Sequence, residues 1–208
     1  MVRIGTWITL NTGEQAICHV IAQGRYHAAR TAHVPNAKVG DQSNELTDLN
    51  GFGAELAFCR AFNVCPDFSL QARSSILGDD LDADASVFGI PIDVKSTVLL
   101  HGRLIGAIKK HPLRHCAYVL LVGSFPRYCF RGGMLADELM QAARLGTLKR
   151  ACYLAAQHEL YEMDDLVRQA GGNFPLCTVA LRAPLSNLRT TLPDARTLGC
   201  EASKSLHP

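Results

Sequence analysis

Four side chains carry the chemistry that this sequence offers most clearly: Glu55, Asp84, Asp93 and Lys95. In Ile90-Pro91-Ile92-Asp93-Val94-Lys95 the apolar residues alternate, so Ile90, Ile92 and Val94 share one strand face and Pro91, Asp93 and Lys95 the other. Gly89 punctuates the stretch as a hairpin turn would. Asp84 then falls on the incoming strand, with Asp93 and Lys95 on the outgoing one. Two carboxylates across a turn, with an ammonium two residues on, suit a hard divalent metal with a cation beside it. Asp82 shares the strand face of Asp84 and is the second choice, while Asp79 and Asp80 read as a solvated loop.

Glu55 enters from a helix. Phe52, Leu56, Cys59 and Phe62 recur at helical spacing as one apolar stripe, and Glu55 lies within it. An unpaired carboxylate facing a core is costly, so it is protonated, paired or bound to a metal. The bland alternative is a Glu at the stripe's edge reaching out to water. Gly53 on the same helix admits a close neighbour.

The elements that must position these groups read as follows. Thr6 to Leu10 is a short strand or an extended lead-in. Thr12-Gly13-Glu14-Gln15 matches a capping box, opening a helix to about Ala32 with Ile17, Val20, Ile21 and Ala28 on its apolar side. Arg25, His27 and Arg30 fall on or near its polar side, solvated or touching phosphate. His33 to Asn44 is a polar loop, and a second helix begins near Asn50-Gly51, capped by Asp48 or Asn50. Phe68–Ala72 and Ser75–Leu77 are weak strand candidates. Beyond the hairpin, Val98-Leu99-Leu100 extends its strand, and Arg103 to Ile108 forms another. Cys116 to Val122, apolar throughout, fits a buried central strand. Tyr128–Phe130 is a short strand ended by Gly132-Gly133, Met134 to Leu145 a helix, Ala151 to Ala156 a last short strand, and Glu159 to Gln169 a helix closed by Gly171-Gly172. Phe174 to Leu181 adds an edge strand. Residues 1–182 thus form one mixed α/β domain around a central sheet, and 183–208 a loosely ordered tail.

Composition is that of an ordinary soluble domain, 48% hydrophobic and 19% charged, with a net charge of only +2. The distribution of charge says more than its sum. No acid lies between Asp93 and Asp137, where Lys95, Arg103, Lys109, Lys110, Arg114, Arg127 and Arg131 all fall. Such a stretch is a solvated basic face or a surface that tracks phosphates. The eight cysteines show no C-x-x-C spacing, which speaks against zinc and for reduced thiols in a cytoplasmic protein. No signal segment opens the chain, and its longest apolar run is too short to span a bilayer.

The joint pattern resembles the PD-(D/E)XK nuclease superfamily, loosely over about residues 10 to 165 and most like its small phage-borne members. Asp84 matches the first acid, Asp93 and Lys95 the D-x-K, and Glu55 the helical Glu. Ala83 stands where the family has Pro, and the Asp84 to Asp93 gap is short for the family. Gln157 and Tyr161 copy the Gln-x-x-x-Tyr spacing of the exonuclease branch, far downstream. The resemblance implies a restriction-endonuclease-like mixed sheet flanked by helices and a nuclease dependent on Mg²⁺, with Mn²⁺ as a substitute. Asp84, Asp93 and the Val94 carbonyl would be ligands, and Glu55 would hold a second ion or orient a metal-bound water. Lys95 would position or activate the attacking water. Arg25, Arg103, Lys109, Lys110 and Arg114 would contact the nucleic acid, DNA before RNA.

Two other classes stay open. One is a non-catalytic nucleic-acid-binding or recombination-accessory protein that keeps the fold. The other is an interaction protein in which Asp93 and Lys95 are a surface pair worth about 0–1 kcal/mol. No oligomer signal is present, and a homodimer remains compatible.

Overall fold

The computed structural model of the protein describes residues 2–33, 42–70, 83–108 and 116–171. Its elements are β1 (Trp7–Thr9), α1 (Thr12–Thr31), α2 (Asn44–Phe62), β2 (Ala85–Val87), β3 (Ile90–Thr97), β4 (Leu104–Ala107), β5 (Ala117–Ser124), β6 (Arg127–Leu135), α3 (Ala136–Leu139), β7 (Leu145–Thr147), β8 (Ala151–Ala155) and α4 (Met163–Gln169). Among the described residues, β1, β6, β5, β3 and β2 form one sheet in that order, and β4, β8 and β7 a second. β3 and β5 are parallel; the other paired strands are antiparallel. The chain is therefore mixed α/β, with a mixed sheet flanked by helices.

Strand register explains the two cores. Ile92 and Val94 lie beside Ala117 and Val119, and with Phe52, Leu56 and Phe58 of α2 and Leu166 of α4 they fill one face of the larger sheet. Tyr118, Leu120 and Val122 point the other way, onto Leu104 and Ala155 of the second sheet and Leu139 of α3. Each large apolar side chain buried in this way contributes about 1.5–3 kcal/mol. The apolar Cys116–Val122 run is the central strand expected of it, flanked by β3 and β6.

Several boundaries differ from the sequence reading, each for a local reason. The capping box of α1 is one residue earlier: Asn11 Oδ1 accepts from Glu14 N–H, and Glu14 Oε2 accepts from Asn11 N–H at 2.7 Å. A carboxylate at the helix start also gains from the macrodipole, which Gln15 would not. The buried residues of α1 are the small Cys18 and Ala22, while Ile17 and Val20 are exposed. Helix α2 begins at Asn44 with Ser43 as its cap. Asn50 is therefore mid-helix, where its Oδ1 accepts from Phe125 N–H and its carbonyl accepts from the Tyr128 hydroxyl. At Gly53 an added Cβ would meet the Tyr128 hydroxyl and the Phe125 ring, so the expected close approach is real.

β3 ends at Thr97, whose Oγ1 accepts from Leu99 N–H and turns the chain; Val98, Leu99 and Leu100 are exposed rather than paired. β6 continues through Gly132 and Gly133, because Gly132 at φ 99° lets the strand bulge and Gly133 pairs with Tyr161. α3 stops at Leu139, since Leu145–Thr147 is drawn into β7 against β8. α4 starts only at Met163: the Glu159 carboxylate holds Ala156 N–H and Arg144, leaving residues 157–159 as a 3₁₀ turn. Phe68 to Leu70 adopt no regular structure. The strand candidates at Ser75–Leu77 and Phe174–Leu181, the acids Asp79, Asp80 and Asp82, and the tail lie outside the described residues.

Candidate metal centre

The hairpin is built as its residues dictate. Phe88 and Gly89, both at positive φ, make the turn, and Val87 pairs with Ile90 and Ala85 with Ile92. Asp84 stands immediately before β2, next to the Ala85–Ile92 pair. Asp84 N–H donates to the Ile92 carbonyl at 2.8 Å, and Asp84 Oδ2 accepts from Val94 N–H at 2.7 Å. Both carboxylates are buried, at 3% and 9% exposure, so each needs compensation. Asp93 finds it in Lys95, whose Nζ stands 2.5 Å from Asp93 Oδ1. The same ammonium lies 5.8 Å from the centre of the Tyr118 ring. Burial alone would lower the Lys95 pKa, but the charges of Asp93, Asp84 and Glu55 and the Asp93 hydrogen bond outweigh it and raise the value above 10.5. Lys95 is therefore a cation at neutral pH.

Glu55 is buried, as the stripe predicts, and it is paired. Arg25 Nη1 donates to Glu55 Oε2 at 2.7 Å. Arg25, read from the sequence on or near the solvated side of α1, is turned inward because that carboxylate is there. It also donates to the carbonyls of Asp67 and Ser69 and stands 4.8 Å over the Phe52 ring. α2 covers the Ile92 and Val94 face of β3, whereas the alternation puts Asp93 and Lys95 on the other, so Glu55 approaches from the far face. Its charge is nonetheless felt at Lys95. Burial first, then Glu55 and Asp84, push the Cys59 thiol up to about 12, which makes it an unreactive core residue at neutral pH.

The hairpin thus gathers Asp84, Asp93, Val94 and Lys95, and Glu55 reaches the group electrostatically. Among the described residues, no three His, Cys, Asp or Glu side chains form a ready metal-holding cluster. The donors on offer are carboxylate and carbonyl oxygens, the set that suits Mg²⁺ or Mn²⁺. Of the expected nucleic-acid contacts, Arg103 is exposed at the start of β4, and Lys109, Lys110 and Arg114 lie outside the described residues. Gln157 Nε2 donates to the carbonyls of Leu100 and Gly102, and the Tyr161 hydroxyl donates to Glu138.

Tyr118 is the neighbour that sequence reasoning missed. It stands beside Asp93 in the parallel register, and its hydroxyl is buried without a hydrogen-bond partner among the described residues. No local signal marks it, because the pairing of β3 with β5 is a tertiary fact. The described cysteines are all free thiols, and no helix among the described residues is long and apolar enough to cross a membrane. Comparison with protein-family models, with curated proteins and with solved structures gave no match.

Proposed function

We propose that the protein is a Mg²⁺-dependent nuclease, acting on DNA, with a restriction-endonuclease-like arrangement of its sheet. One observation supports this most: Asp84 Oδ2 accepts from the N–H of Val94, the residue between Asp93 and Lys95, and the Lys95 ammonium feels the charges of Asp93, Asp84 and Glu55. Asp84, Asp93 and the Val94 carbonyl would hold the ion. A bound Mg²⁺ would supply a lowered pKa for its water and polarisation of the phosphoryl oxygens. Lys95, held protonated, donates a hydrogen bond to the attacking water or to a phosphate oxygen and offsets developing negative charge. Glu55, oriented by Arg25, acts on this group through its charge at Lys95.

The test is cleavage of linear duplex, circular duplex and circular single-stranded DNA, each with Mg²⁺, Mn²⁺ or a chelator. Calorimetric titration of Mg²⁺ into the protein without DNA provides a readout independent of activity. Loss of both cutting and metal uptake in Asp93→Asn, with native folding retained, is the expected result.

A second reading has an observation of its own. Asp93, Glu55 and Asp84 each already have a protein partner, Lys95, Arg25 and the Val94 N–H. That arrangement suits a non-catalytic nucleic-acid-binding protein in which the acids are structural. DNA binding at low salt without cutting under any metal condition would establish this reading instead.

A further inference from the structure

At the opposite edge of the larger sheet from the hairpin, β1 carries Trp7, the only tryptophan of the chain. It is 47% exposed, and the Arg127 guanidinium lies 4.6 Å from its ring centroid. The registers Thr97 with Val122, Val122 with Cys129 and Cys129 with Trp7 form one row across β3, β5, β6 and β1. Trp7 therefore lies on the same sheet face as Asp93 and Lys95. At strand spacings of about 4.8 Å and a rise of about 3.3 Å per residue, Trp7 is about 20 Å from Asp93.

β6, the strand beside this ring, carries only positive charge. The charges acting on the Cys129 thiol are those of Arg131 and Arg127. Arg131 Nε is buried without a hydrogen-bond partner, and among the described residues neither arginine is ion-paired. No acid occurs between Asp93 and Asp137, so neither β5 nor β6 carries a negative charge. A half-exposed aromatic ring backed by a guanidinium, with uncompensated cations beside it, has what a base stacked over a phosphate chain requires: a flat apolar surface and charge for the backbone.

We infer that Trp7, with Arg127 and Arg131, is a stacking platform for a single-stranded polynucleotide at this outer edge of the sheet. This binding does not rest on the nuclease reading above. The partner is defined by bases and phosphates, so single-stranded DNA and RNA share the required chemistry.

Because Trp7 is the sole tryptophan, its fluorescence reads this site alone. The experiment titrates the Asp93→Asn protein, without divalent metal, with oligo-dT, oligo-rU and a blunt duplex at low salt. Quenching of Trp7 by a single strand is expected, with the dT and rU arms showing which polymer is preferred. Anisotropy of labelled oligonucleotide is expected to show about tenfold weaker binding for Trp7→Ala, with most of the affinity retained in Trp7→Phe. Trp7→Phe guards against a folding defect, since it keeps an aromatic ring on the strand.

Unchanged Trp7 fluorescence with either single strand overturns the platform, as does quenching by the duplex alone. Self-association that Trp7→Ala abolishes, with no quenching by nucleic acid, overturns it in favour of an interface between copies of the chain. Metal-dependent cutting by the wild type without quenching sinks the platform but not the nuclease reading. Quenching without any cutting does the reverse.

Discussion

At the scale of single residues, the centre is a matter of which charge sits beside which. Arg25 and Glu55 are mostly buried, with side chains 14% and 11% exposed. Removing one member of such a pair strands the other in a low-dielectric setting. Arg25→Ala should therefore destabilise the fold by about 3 kcal/mol, measured by urea unfolding, because it also releases the carbonyls of Asp67 and Ser69. Lys95→Ala acts differently. Lys95 is partly exposed, at 38%, so its loss should cost little stability. On the nuclease reading it lowers cleavage by at least about a hundredfold, while filter binding of uncut DNA changes by a few-fold at most. A Lys95→Ala protein that cuts as well as the wild type would sink the assigned role.

At the scale of elements, the site depends on how closely α2 approaches the sheet. Gly53 lets that happen: with no Cβ, it allows Tyr128 to reach the Asn50 carbonyl and Phe125 to pack nearby. Gly53→Ala inserts a methyl where the Tyr128 ring and hydroxyl already stand. The expected result is a loss of about 1–3 kcal/mol, read from thermal unfolding. Glu55, two residues further along the helix, moves with it, so any Mg²⁺ uptake should weaken in the same variant. A Gly53→Ala protein as stable as the wild type would mean that α2 can withdraw freely.

At the scale of the molecule, the two sheets are joined through a buried apolar layer and a polar clasp. Arg144 pairs with Glu138 and Glu159, and Glu159 also caps Ala156 N–H. These contacts, the Ala156 bond first, hold the Glu159 carboxyl below its ordinary 4.5. A depressed carboxylate adds stability above its unfolded pKa, and that stability is lost as pH falls through the folded value. The melting temperature of Glu159→Gln should therefore lie below that of the wild type at about pH 6, and the gap should narrow as the pH is taken below the ordinary 4.5. A gap that stays constant with pH would assign the clasp to shape rather than charge.

How far the sequence could be read depends on the range of the force involved. Alternation over Ile90 to Lys95, the Gly89 turn and the apolar Cys116–Val122 run are local patterns, and the hairpin and central strand follow from them. Burial of Glu55 was legible too, since helical spacing alone puts it within an apolar stripe. Its partner was not, because Arg25 lies thirty residues away and its inward turn depends on how α1 lies across α2. The boundaries at Gly132-Gly133 and Val98–Leu100 were misread for the same reason: pairing with Tyr161 and a Thr97 turn decided them. Asp93 and Lys95 on one strand face are a property of this sequence by itself. That Tyr118 stands beside them, that Glu55 faces them from across the strand and that Trp7 shares their sheet face were decided only by tertiary structure. Strand register and helix docking are set by packing between distant segments, and no local spacing encodes them.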